Sequence, residues 1–137
     1  MKFLKTVLLA GAATALAGAA SAQDGGGISN DAVKIGMILD MSGAYSSLDG
    51  QGSVAAVQMA IDEMGGTLGG KPIELLSADH QNKSDIGTSI ARQWADQDNV
   101  DLILGGANSG VGIALQGITA EKNVAYINNG GASNALT

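Results

Sequence analysis

Apolar residues along the chain alternate between two spacings. Short β-type runs occupy residues 33–39 (VKIGMIL), 73–78 (IELLSA), 100–104 (VDLIL) and 124–127 (VAYI). Between them the spacing turns helical. Val54, Val57, Ile61 and Met64 fall three, four and three apart, Ile86, Ile90 and Trp94 recur every four, and Val111, Ala114, Leu115 and Ile118 form one stripe. Each helical stretch meets a stop: Gly65-Gly66 and Gly69-Gly70, then Asp98-Asn99, then Lys122-Asn123. The pattern predicts the order β-α-β-α-β-α-β. Strands separated by helices of this length pair in parallel through right-handed crossovers. The expected fold over residues 31–137 is α/β, a partial doubly wound parallel sheet buried on both faces.

Ligands of such sheets sit beyond the carboxyl ends of the strands. Three loops occupy that edge: residues 40–51, 105–109 and 128–133, all rich in Gly, Ser and Asn. Small residues let backbone N–H groups approach a ligand, and the helix N-termini behind them favour an anion.

The amino terminus reads as an export signal. Lys2 and Lys5 precede an apolar run over residues 6–17, and Ala20-Ser21-Ala22 places small residues where a signal peptidase cuts, after Ala22. The run is shorter than the ~20 residues a membrane span needs. The expected division is a signal peptide over 1–22, a Gly-rich leader over 23–30 and a lobe over 31–137. Cleavage leaves 115 residues with five basic against 13 acidic side chains. That balance argues against nucleic acid, whose phosphates need a basic face. The chain has no Cys and one His, which excludes disulfides, thiolate nucleophiles and multi-imidazole metal sites. With 21 Gly among 137 residues, about twice the usual ~7%, yet 45% apolar residues, the glycines are turns and close backbone approaches rather than linker.

Enzyme motifs fail on inspection. Gly105 to Gly110 has P-loop spacing, but Val111 and Gly112 stand where Lys and Ser or Thr belong. No dinucleotide fingerprint follows the first strand, and no nucleophile elbow exists. Asp79-His80 lacks a nucleophile, and His80 is expected as a polar loop residue. Asp62-Glu63 point to different azimuths of a helix and read as a solvated face. Ser109 is the stronger candidate, since a Ser at a helix start either caps backbone N–H groups or donates to a bound carboxylate. Tyr45 either covers a ligand or anchors its loop, and Trp94 belongs to the core.

The segments IGMILDMSGAYSSLDGQGSVAAVQMAIDEMGGTLGGKPIELLSADHQNK and ADQDNVDLILGGANSGVGIALQGITAEKNVAYINNGGASNALT, in that order, resemble the amino-terminal lobe of type I periplasmic solute-binding proteins. The match is to the branched-chain amino acid (Leu/Ile/Val-binding) family of ABC importers. The resemblance implies an exported, non-enzymatic binding lobe without cofactor or metal. Its partners are a small polar solute (an amino acid, amide or organic acid) and a membrane permease. A ligand-sensing receptor domain of the same fold is the alternative. The resemblance further implies an aromatic offered by the first loop, here Tyr45, and a carboxylate held at Asn108-Ser109. Gly131 and Ser133 fall where a backbone carbonyl and a hydroxyl hold the ammonium and carboxylate. Asn108-Ser109-Gly110 and Gly130-Gly131 depart from the family's Ser-rich run and bulkier pair. Family members have two lobes, so the chain is expected to be a fragment.

Overall fold

The computed structural model describes residues 31–137, so the expected signal peptide and leader lie outside the described residues. Strand β1 spans Val33–Leu39, the short helix α1 Ser46–Asp49, and helix α2 Gln51–Glu63. Strands β2 (Thr67–Leu68) and β3 (Lys71–Asp79) precede helix α3 (Ser84–Gln93), whose last turn widens into a π-turn over Trp94–Asp98. Strand β4 (Leu102–Gly105), helix α4 (Ser109–Lys122), strand β5 (Ala125–Asn128) and a 3₁₀ turn at Asn134–Leu136 complete the order.

The sheet runs β2-β3-β1-β4-β5. The pairs β1–β3, β1–β4 and β4–β5 are parallel, as the sequence pattern predicts. Strand β2 was not expected: it pairs antiparallel with β3, Thr67 opposite Pro72 and Leu68 opposite Lys71. Gly69 and Gly70, both at positive φ (60° and 82°), make the two-residue hairpin turn, a backbone that other residues enter at a cost. The glycine pairs read as helix stops therefore also add a strand. The Asn stops hold as expected. Asn99 and Asn123 take φ of 52° and 55°, the left-handed conformation that ends a helix.

Right-handed crossovers move one way from β1 to β3 and the other way from β3 to β4 to β5. That places α2 on one face and α3 with α4 on the opposite one. The α3–α4 face holds the core of Ile38, Ala91, Trp94, Val100, Ile103, Val111, Leu115 and Ile118. Trp94 packs against the central strand at Gly36. A Cβ at Gly36 would stand 2.5 Å from its ring carbons, so this glycine is a packing requirement.

The other face is only part covered, against the expectation of burial on both. Met37, Leu39 and Ile61 are buried there, but Met64, the last residue of the predicted α2 stripe, is exposed, as are Ala125 and Ile127 of β5. The reason is width. A helix covers ~10 Å and strands lie ~4.8 Å apart, so one helix shields about two strands of the four parallel ones.

Candidate functional site

The loops at the carboxyl edge of the sheet are built by side chains that replace missing backbone partners. Asp40 ends β1, and its carboxylate accepts from Gly43 N (2.7 Å) and Tyr45 N (2.8 Å). Asp79 ends β3 and accepts from Gln81 N (2.7 Å), Met41 N (3.0 Å) and Ser42 Oγ (2.5 Å). Burial pushes the Asp79 carboxyl up, but the hydrogen bonds and nearby His80 outweigh it and hold its pKa below the ordinary carboxylate value. These bonds pin the first loop to the one after β3.

His80 lies in the loop directly after β3, as expected, but it is fully buried. Its Nδ1 accepts from Asn82 N at 3.0 Å, and Nε2 has no partner among the described residues. The left-handed turn at Gln81 and Asn82 (φ 52° and 58°) folds the chain back over it. Asn82 Oδ1 then accepts a hydrogen bond from Asn108 Nδ2, joining the loops after β3 and β4.

Helix α4 opens the site. Asn108, not Ser109, is its N-cap: Asn108 Oδ1 accepts from Gly110 N (2.7 Å) and Val111 N (3.2 Å). Ser109 occupies the first helical position, and its Oγ accepts from Ala132 N at 3.1 Å. The hydroxyl hydrogen is thereby left to donate elsewhere. Gly106, at φ 110°, brings this loop against β5, where a Cβ would overlap the Asn128 carboxamide.

A cleft of about 530 Å³ lies between the loops and is lined by Tyr45, Leu48, Asp49, Asn108, Ser109 and Asn129, with Ala107, Gly110, Gly130 and Ala132. Three of the five expected site residues, Tyr45, Asn108 and Ser109, line it together. Gly131 and Ser133 flank Ala132 but do not line it. Gly131 N donates to Asn128 Oδ1 (2.7 Å), and Ser133 Oγ accepts from Ala135 N (3.2 Å). Sequence reasoning passed over Asp49, which is 1% exposed and whose Oδ1 accepts from Asn129 Nδ2 at 3.2 Å. Its position in the Ser- and Gly-rich loop carries no pattern that marks burial.

A parallel α/β sheet with a polar cleft at its carboxyl edge, bounded by capped loops and a helix N-terminus, is a ligand-binding lobe. The model of the periplasmic binding protein family matches residues 32–137, and the chain belongs to that family. Its members are solute-binding proteins, not enzymes, of the ABC transporter type.

Solved structures agree. A periplasmic binding protein from Burkholderia mallei is 48% identical with a TM-score of 0.77, covering 79% of this chain and 29% of its own. A branched chain amino acid ABC transporter periplasmic ligand-binding protein from Burkholderia xenovorans is 42% identical (TM-score 0.71), over 74% of this chain and 27% of its own. A solute binding protein of an ABC transporter from R. palustris, in complex with benzoate, is 27% identical (TM-score 0.65), over 71% of this chain and 27% of its own. The chain thus spans under a third of the length of these relatives. A comparison with the curated proteins finds no match.

Proposed function

We propose that this chain is the amino-terminal lobe of a periplasmic receptor that delivers a small polar solute to an ABC permease. The solute is an amino acid or a related amide or organic acid. The carrying observation is Ser109: it stands at the start of α4 in the cleft, accepts from Ala132 N, and so presents its hydroxyl hydrogen to an incoming carboxylate. Asn108 orients this end of the helix, and Tyr45 covers one side of the solute. Gly131 and Ser133 contribute polar contacts from either side of Ala132, which lines the cleft.

NMR titration of the chain with L-isoleucine and with benzoate tests this reading. Expected are shifts confined to residues 45–49, 107–110 and 129–133, the cleft lining with its immediate neighbours. Ser109→Ala should weaken carboxylate binding by ~1–3 kcal/mol, the scale of a hydrogen bond to a charged group. Shifts scattered away from the cleft, or binding unaffected by the substitution, overturn the assignment.

Export to the periplasm is part of the proposal, with cleavage after Ala22. Mass spectrometry of exported protein should find Gln23, or its pyroglutamate, as the first residue. Exported protein that retains Met1 contradicts it.

A further inference from the structure

Among the residues lining the cleft there is one carboxyl, Asp49, and no Lys, Arg or His. Asp49 is 1% exposed, and its two oxygens differ. Oδ1 accepts from Asn129 Nδ2 at 3.2 Å, whereas Oδ2 is buried with no partner among the described residues. A buried acceptor without a donor is unfavourable, and a carboxylate more so, unless something supplies an N–H or O–H.

We propose that Asp49 is a specificity residue whose Oδ2 accepts from an ammonium or amide N–H of the solute, so that the cleft takes amine- or amide-bearing solutes and disfavours simple monoanions. The inference rests on the cleft being the solute site. Two further observations carry it. The amides of Gly110 and Val111, which would otherwise draw an anion to the start of α4, already donate to the Asn108 side chain. A monoanion would therefore meet the Ser109 hydroxyl on one side and a buried carboxylate on the other, with no cation on this wall. A solute carrying both a carboxylate and an amine meets a donor and an acceptor instead. Asn129, itself exposed, occupies Oδ1 and so leaves Oδ2 as the acceptor for the solute's donor. The same bond ties the loop after β5 to α1.

The experiment is NMR titration of the full chain with three probes: L-isoleucine, its amine-free counterpart 3-methylpentanoate, and benzoate. The wild-type chain should bind isoleucine at least ~10-fold more tightly than either anion, the scale of one charge-assisted hydrogen bond. Asp49→Asn should remove that preference by weakening isoleucine while leaving 3-methylpentanoate unchanged or tighter. The wild-type ratio needs no variant, so the proposal stays testable even if Asp49→Asn fails to fold. Equal or reversed wild-type affinities overturn the role of Asp49, as does a preference that survives Asp49→Asn. Binding of none of the probes overturns instead the reading of the cleft as a solute site, and with it this inference.

Discussion

The 137-residue chain alone should bind amino acids, amides or organic acids no more tightly than about millimolar, ~1,000-fold or ~4 kcal/mol weaker than a micromolar receptor. The cleft is bounded by loops at one edge of one sheet, and Gly110, Asn129 and Gly130 in its lining are exposed. Sites that bind well cover ~70–90% of a ligand's surface, and a single wall cannot. Tyr45, Ser109 and Asp49 all belong to the loops of this one edge. In a two-lobed relative, hinge closure supplies the opposing wall. The measurement is calorimetry or NMR titration of the chain, set beside the same solute on a two-lobed protein carrying residues 31–137. Micromolar affinity in the chain by itself would show that the loops of this lobe enclose the solute unaided, contrary to the geometry argued above.

Trp94→Ala should cost ~3–5 kcal/mol of stability, the range for deleting a large buried aromatic. Domains of this size hold only ~5–15 kcal/mol in total, so the loss is a large share of the stability and should show as a clearly lower unfolding midpoint. The size of the effect follows from Gly36. Because the central strand has no side chain there, the Trp94 ring fills the space directly over the backbone. The α2 face offers little compensation, since Met64 and Ile127 are exposed there. Urea unfolding followed by far-UV circular dichroism measures the loss. A stability within ~0.5 kcal/mol of wild type, the size of an ordinary surface substitution, would mean that Trp94 is not what holds α3 to the sheet.

What the amino-acid sequence determined by itself is local. The period of the apolar residues identifies the four parallel strands and the three long helices that join them, because side-chain direction repeats every two residues in a strand and every 3.6 in a helix. The residues Asn99 and Asn123 mark helix ends because Asn enters the left-handed conformation at low cost. That Tyr45, Asn108 and Ser109 line one cleft was legible because the strand order predicts which loops share an edge.

Tertiary structure decided the rest. His80 lies between Asp79 and Gln81 and Asp49 between Leu48 and Gly50, and nothing periodic around either signals burial; only the folding together of loops distant in sequence encloses them. Asn129 meets Asp49 across 80 positions of chain, a juxtaposition without a local signature. The hairpin of β2 needed the free edge of β3, and the exposure of Met64 at the end of the α2 stripe needed the count of strands under one helix. Which polar group is buried, and which apolar face stays uncovered, depends on what packs against it, and that is a property of the whole sheet rather than of any segment.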